Sequence, residues 1–375
     1  MRIPVLSRLA RPMLRLLGRD ESGAVGALVA ILLGGGVLVG MGAMVVDVGQ
    51  LYQKRAELQN GADAGALAVA KSCLTSSCNS SVAGSFANQN SASGVAGVDL
   101  VCGSGSLGAC PAPTGALTDC PAPPAGATNY VDVHTESLTK SGSTLVPPVF
   151  AKTLLGNGNY NGTTVYACAQ AIWGAPKTAT SGLAFTISAC EWYQDTVNGT
   201  VFAPPPPAVP SVSVDEVLQF HGESHDGCKQ DNASGSDGPG MFGWTDDSGN
   251  CQLVINGSTY ADTPGTSASN DCKVALANDA VQGAPPVLIP IYSSETGNGA
   301  NGSYTLLGFA SFVVTGYSVP GASSPDWLDK SDSYHGCGGD VKGIFGYFVQ
   351  GLIPSDSSGT IGGTNLGAQF IKLTG

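Results

Sequence analysis

The longest pattern in the chain is an uncharged run near its N-terminus. Residues 23–46 contain no charged side chain, and Asp20, Glu21 and Asp47 flank them. About 20 apolar residues in a helix are enough to cross the ~30 Å hydrocarbon core of a bilayer. The run is also longer than the apolar part of a cleaved signal peptide, and it lacks an Ala-x-Ala-like cleavage site. We therefore predict a retained transmembrane helix.

The helical pattern continues beyond Asp47. Apolar residues recur at spacings of seven, four, four and three, and polar residues fill the other side of the helix. The pattern predicts one continuous helix of about 50 residues, whose second half leaves the membrane as a stalk. Its apolar stripe needs a cover, either the chain's own outer region or a neighbouring copy. The stripe consists of Leu51, Leu58, Ala62, Ala66 and Val69.

Two features of this helix are typical of helix–helix contact. Gly36 and Gly40 form a small-xxx-small pair, which lets another helix approach closely. In a segment with this many glycines such a pair also arises by chance, so a glycine-rich helix without a defined partner stays an alternative. The predicted helix-packing interface consists of Gly36, Gly40, Asp47, Leu51, Leu58 and Ala62.

The charge distribution predicts an orientation and excludes a class of partner. Residues 1–71 carry 8 basic and 5 acidic side chains, whereas residues 72–375 carry 8 and 23. Five arginines precede residue 20, so the positive-inside rule predicts a cytoplasmic N-terminus and an extracytoplasmic remainder. The net charge of −12 argues against a nucleic-acid partner, because phosphate binding needs clustered Lys and Arg.

Beyond the stalk the pattern becomes strand-like. Residues 73–129 are rich in Ser, Gly, Ala, Pro and Cys and predict irregular loops fixed by cross-links. Alternation at 131–136 and apolar runs at 165–173 and 183–189 predict strands, and 149–155 predict a short helix. Further strand-like runs follow the prolines at 204–207. They are 212–220, 252–255, 287–292, 304–317, 343–353 and 369–373.

These elements predict an α+β protein. A transmembrane helix that continues as a stalk is followed by a small α+β unit and a β-rich, antiparallel sandwich or barrel-like domain. Most aromatic side chains of the β-rich domain are expected in its core. The predicted segments are a basic N-terminus at 1–19, the helix at 20–72, a Cys/Gly/Ser-rich α+β unit at 73–203, a Pro-rich linker at 204–210 and the β-rich domain at 211–375.

The eleven cysteines are typical of an oxidising compartment. None forms a Cys-x-x-Cys pair, which argues against zinc ribbons and thioredoxin-like redox chemistry and favours structural disulfides. The pairing stays open, with Cys73–Cys78 and Cys251–Cys272 as plausible local pairs. Because the total is odd, one thiol remains, and the first candidate is Cys168, as a buried and inert side chain in a predicted strand.

The sequence offers little for catalysis. His221 and His225 have zincin-like spacing, but Glu223 stands one place late and neighbouring glycines oppose a helix. There is no Gly-x-Ser-x-Gly elbow and no phosphate-binding Gly-Lys-Ser/Thr loop. We therefore expect no catalytic residue, no metal site and no cofactor, and a protein that is not an enzyme. A metal-dependent enzyme centred on His221, His225 and Asp226 is the remaining alternative.

Several segments resemble a known family. Four stretches of the chain resemble the N-terminal module of TadE/TadG-like Flp pilus-assembly proteins. They are Asp20 to Val25, Val46 to Tyr52, Arg55 to Asn60 and Ala62 to Ala68. Segments 145–156, 242–244, 308–310 and 315–317 are similar to actinobacterial members. The string Asp329–Ser333 matches the metal motif of a von Willebrand A domain but lacks the preceding apolar strand, so no such domain is expected.

The resemblance implies a pseudopilin-like, single-pass membrane protein that assembles or anchors a tight-adherence pilus. The implied partners are the membrane, other pilus-assembly proteins or pilin subunits, and possible further copies of this chain. An alternative is a surface-exposed binding or adhesion module that uses the helix only as an anchor. An exposed aromatic patch on the β-rich domain would favour that alternative.

Overall fold

The computed structural model describes residues 21–75, 77–116, 118–150, 152, 160–219, 243–261, 263, 267–297, 302–330, 342–353 and 359–374. Several predictions concern residues outside these ranges. They are the N-terminal arginines, the cluster from His221 to Asp226, Phe242, the end of the Asp329–Ser333 string and most of the predicted helix at 149–155.

The first element is helix α1, Glu21–Thr75, which confirms the predicted continuous helix. Its sequence contains no proline, the residue that most strongly breaks a helix interior, and it is rich in Ala and Leu, the strongest helix formers. Its glycines weaken a helix in water. They are tolerated in an apolar segment, because in lipid the backbone has no other hydrogen-bond partners than its own.

The chain forms two compact units. The first contains residues up to Glu57 together with Ser137–Val165. We call the described residues between 137 and 165 the arm. At its base the Ser137 N–H donates to the Val165 carbonyl at 2.8 Å, and the Val165 N–H donates to Ser137 Oγ at 3.0 Å. Within the arm, β3 (Leu145–Val146) pairs antiparallel with β4 (Thr163–Thr164).

The second unit contains Leu58–Glu136 and Tyr166–Gly375. One of its sheets has the strand order β1–β2–β5–β18–β15. The predicted strands at 131–136, 165–173 and 369–373 are confirmed as β2, β5 and β18. The bounds are β1 Gly97–Gly103, β2 Tyr130–Glu136, β5 Tyr166–Gly174, β15 Gly351–Leu352 and β18 Ala368–Leu373.

A second sheet is built around the long strand β12. Its order is β7–β11–β12–β14–β8, and β10, β13 and β17 also pair with β12. The β11–β12 register shifts between Ile291 and Tyr292, which increases the local twist and curls the sheet. The bounds are β7 Ile187–Ser188, β8 Glu216–Gln219, β10 Thr259–Ala261, β11 Val287–Thr296, β12 Ser303–Val319, β13 Ala322–Ser324, β14 Gly343–Val349 and β17 Thr364–Leu366.

The remaining elements complete the second unit. A third sheet has the order β16–β6–β9, with β6 Pro176–Ser181, β9 Leu253–Ile255 and β16 Thr360–Ile361. The helices are α2 (Val82–Gln89), α3 (Ala189–Asp195) and α4 (Asn270–Asp279). Ser188 caps α3 by accepting from the Glu191 N–H at 3.0 Å, so the strand predicted at 183–189 is reduced to β7 and gives way to a helix.

The class α+β is therefore confirmed, as is the strand-rich character of the C-terminal half. The expectation of irregular loops throughout 73–129 is wrong, because α2 and β1 lie there. The predicted domain boundaries stay a prediction. In the structure β18 pairs with β5, and β9 pairs with β6, so strands from both sides of the prolines share sheets.

The main core of the second unit lies around β11, β12 and β14. As expected, most aromatic side chains of the β-rich segment belong to it or to a smaller neighbouring cluster. Among the described residues of this segment, the buried aromatics are Trp244, Tyr260, Tyr292, Tyr304, Phe309, Phe312, Tyr317, Phe345, Tyr347, Phe348 and Phe370.

Candidate functional site

The first half of α1 has two different faces. Ala43, Asp47, Gln50, Lys54 and Glu57 recur every three or four residues, and each is buried or half-buried. The opposite face is open and apolar, with Val45 70% and Tyr52 72% exposed. It forms a shallow groove with a volume of about 500 Å³, lined by Met41, Met44, Val45, Val48, Gly49 and Tyr52.

The predicted packing residues of this half lie on different parts of its surface. Gly36 is helical, and its surroundings lie outside the described part of the chain. Gly40 is half-buried, and a Cβ placed on it would meet no other atom within 4 Å. Leu51 is half-buried. The Asp47 carboxylate contacts the arm, since its Oδ1 accepts from the Val149 N–H at 2.7 Å and from the Phe150 N–H at 3.1 Å.

Leu58 and Ala62 are buried inside the second unit. Ala62, Ala66 and Val69 pack in one cluster with Val131 of β2 and Ala169 of β5. The Thr135 hydroxyl, fully buried, donates to the Leu58 carbonyl at 3.0 Å. From Leu58 onwards the apolar stripe is thus covered by the chain's own sheet, which is one of the two covers that the sequence allowed.

A close contact between α1 and α2 was not anticipated. A Cβ placed on Gly61 would lie 3.0 Å from the Ala87 Cα, and one on Gly65 would lie 3.4 Å from the Ala83 Cα. Gly61, Gly65, Ala83 and Ala87 are all buried. The signal was present as small residues four apart in both segments, a spacing that places them on one helix face.

Disulfides join both local cysteine pairs that the sequence suggested, Cys73–Cys78 and Cys251–Cys272. Two further bonds join Cys102 to Cys110 and Cys120 to Cys168. The prediction that Cys168 carries the unpaired thiol is wrong. Its position inside β5 suggested burial without a partner, but the loop that carries Cys120 reaches the strand.

Two side-chain groups have the spacing of a metal site. They are Cys120, His134 and Cys168, and Cys102, Cys110 and Asp132. In both groups the cysteines form a disulfide, so no thiolate is available as a ligand. Burial raises the pKa of the Asp132 carboxyl, and a hydrogen bond from Gln170 Nε2 at 2.9 Å partly offsets this. Both groups are therefore structural cross-links with polar neighbours.

By length and composition, α1 is a helix that can cross a membrane. The qualifying residues begin at Val25, and almost all of the most apolar window is exposed. An exposed apolar surface of this length is stable in lipid and unstable in water. The Met and Val positions of the groove follow the helical period across the end of the uncharged run, so the sequence contained the signal for this face as well.

One comparison with known proteins gives a similarity for this helix. The family model described as putative Flp pilus-assembly TadE/G-like matches residues 23–72. No curated protein matches the chain, and no solved structure matches it. The match begins just after the start of α1 and ends three residues before its end. Residues 23–72 are therefore similar to the TadE/G-like Flp pilus-assembly family, and this segment forms most of the N-terminal helix.

Proposed function

We propose that this protein is a membrane-anchored, pseudopilin-like component that assembles or anchors a tight-adherence pilus through helix packing and protein–protein contacts. It is not an enzyme in this proposal. Its basic N-terminal residues lie in the cytoplasm, and the residues after Asp47 lie outside it. Its partners are pilin subunits, other assembly proteins or further copies of the chain.

The observation that carries the proposal is the open groove on the segment that matches the family. Met41 and Met44 line the groove, and Gly49, which lies between Val45 and Tyr52 on the same face, leaves a notch in the helix surface. Unbranched methionines adapt to irregular neighbours, and small residues let helix backbones approach each other. A neighbouring transmembrane helix fits such a surface.

The burial of the apolar stripe from Leu58 onwards limits which residues can contact a partner helix. Leu58 and Ala62 are covered by the chain's own sheet, so within the proposal they hold the outer region on the helix. The partner contact is assigned to the groove, with Gly40 one position before its first residue. Asp47 and Leu51 lie on the half-buried side.

Burial of the aromatic side chains favours this proposal over an adhesion module. Trp244, Phe309, Phe312 and Phe345 are among the aromatics buried in the second unit. Among the described residues, these aromatics therefore do not form an exposed patch for a glycan or a peptide.

The proposal is tested by photo-crosslinking in cells that assemble the pilus. A benzophenone amino acid replaces Val48 inside the groove or, as a matched control, Val46. Side chains two residues apart on a helix point about 200° apart around its axis, and both valines are exposed. We expect protein adducts at Val48 that contain pilus-assembly proteins, pilin or a second copy, and mainly lipid adducts at Val46. Lipid alone at both positions would contradict the proposal and favour a passive anchor.

A further inference from the structure

The arm places apolar side chains next to the point where α1 reaches the end of its uncharged run. Two prolines follow β3, and Val149 and Phe150 come next at a bend, with 53% and 44% of their surface exposed. Leu145 on β3 is also exposed. In a water-facing loop such a group is unfavourable, because apolar area stays in contact with water.

Asp47 fixes the depth of these side chains along α1. Its Oδ1 accepts from the Val149 and Phe150 N–H groups, and its Oδ2 accepts from the Phe150 N–H at 3.2 Å. The two backbone donors satisfy a carboxylate at a place where an ion without hydrogen bonds is costly. Val149 and Phe150 are thus held at the level of Asp47 by hydrogen bonds from their own backbone.

That level corresponds to the edge of a bilayer. From Val25 to Asp47 the helix rises about 33 Å, close to the ~30 Å thickness of the hydrocarbon core. Tyr52 is exposed and lies about 7.5 Å further along the axis, at headgroup depth, where tyrosine is enriched. Exposed Lys152, two residues after Phe150, is a cation suited to lipid phosphates.

We propose that the arm is a lipid-contacting element, in which Val149 and Phe150 enter the interface of the leaflet from which α1 emerges. The bonds to Asp47 couple this contact to the helix and so set its depth in the membrane. The partner is the lipid surface itself. The exposed side chains of the arm lie at the same level along the helix axis as the end of the exposed apolar surface of α1. This role goes beyond pilus assembly and needs no pilus protein.

The test uses the purified full chain in vesicles of phosphatidylcholine and phosphatidylglycerol that contain a radiolabelled lipid. p-Benzoylphenylalanine replaces Phe150, and the yield of lipid adduct is measured after irradiation. Val46 on α1, outside the groove, is the positive control, and Tyr193, an exposed aromatic on α3, is the negative control. We expect a yield at Phe150 within roughly twofold of that at Val46 and at least about fivefold above that at Tyr193.

A yield at Phe150 equal to that at Tyr193 would overturn the proposal, and so would protein adducts at Phe150 in place of lipid. Absence of lipid at Val46 as well would overturn the depth on which it rests. The variant Asp47→Ala tests the coupling, since we expect it to lower the yield at Phe150 at least about threefold and to leave the yield at Val46 unchanged. Because no pilus protein is present, failure here is distinct from failure of the assembly role.

Discussion

At the scale of single residues, small side chains decide how closely α1 approaches its neighbours. Gly61 and Gly65 face α2, whereas Gly49 faces open space in the groove. The same residue type therefore has two different roles on one helix. In the first role it permits backbone contact, and in the second it shapes the surface to which the proposal assigns a partner.

Gly61→Leu is expected to destabilise the second unit. The new side chain would have to displace the backbone of α2, and overpacking of this kind costs about 1–3 kcal/mol. Gly49→Leu is the matched control, because no atom lies within 4 Å of its Cβ position. Thermal unfolding of the detergent-solubilised chain compares the two variants. Equal unfolding temperatures would show that α2 does not pack against Gly61.

Asp279, near the end of α4, is expected to make stability depend on pH. Burial raises the pKa of its carboxyl to about 6 from an ordinary value of 3.8. The folded state therefore binds the proton more tightly than the unfolded state. The contribution of Asp279 to the free energy of unfolding is largest below pH 4 and is lost as the pH rises through 6.

The measurement is the unfolding free energy of wild type and Asp279→Asn at pH 4 and pH 7. From pH 4 to pH 7 we expect the unfolding free energy of Asp279→Asn to rise by roughly 1–3 kcal/mol relative to that of wild type, because the amide stays neutral at both pH values. Asp246→Asn, at an exposed position, serves as the control for replacing a carboxylate by an amide. The same pH dependence of the unfolding free energy in wild type and Asp279→Asn would refute the raised pKa of the Asp279 carboxyl.

At the scale of elements, disulfides fasten loops to regular structure. Cys120–Cys168 joins an irregular segment to β5 and closes 48 residues, whereas Cys73–Cys78 closes only 5 at the end of α1. The loss of chain entropy in the unfolded state increases with the length of the closed loop.

Replacing Cys120 and Cys168 together by alanine is expected to cost about 4 kcal/mol, and replacing Cys73 and Cys78 about 2 kcal/mol. Denaturant unfolding of the two double variants checks this order. A larger loss for the Cys73/Cys78 variant would mean that the end of α1 depends on its cross-link for reasons other than chain entropy.

Elements with strong periodicity could be predicted from the sequence, and elements that depend on neighbours could not. The alternation in β2 and the apolar runs of β5 and β12 carry their own signal. Helix α2 is eight residues long, and its buried Ala83 and Ala87 face the glycines of α1. Strand β1 includes Asp99 and glycine at both ends, and it is ordered by pairing with β2. Both depend on tertiary contacts.

The same limit applies to the candidate site. The stripe on α1 predicted an apolar surface that needs a cover, and Leu58 and Ala62 are indeed buried. The sequence could not distinguish a cover within the chain from one on another copy, because either requires the same apolar residues. The groove at 41–52 could be derived from periodicity, because its Met and Val residues recur on one face of the helix.

At the scale of the whole molecule, orientation is the property that decides how the chain meets its partners. The proposed orientation places the turn of the arm, at Lys140–Gly142, outside the cytoplasm. These three residues are exposed, so an inserted epitope there should be tolerated.

We expect an epitope inserted after Ser141 to bind antibody on cells whose outer layers have been removed but whose inner membrane is intact. An epitope fused before Met1 should bind only after permeabilisation. A cytoplasmic protein stained in parallel reports membrane integrity. The reverse pattern would contradict the proposed orientation and, with it, the access of the outer region to a pilus.

The pairing of β18 with β5 has a consequence for biogenesis. The two strands are separated by about two hundred residues of chain, yet they are neighbours in one sheet. If the chain is exported from its N-terminal end, β5 emerges with one of its edges unsatisfied and waits until residues 368–373 have also crossed. During that interval the exposed edge is a target for wrong pairing, so a periplasmic or surface chaperone that shields it would determine the yield of folded protein.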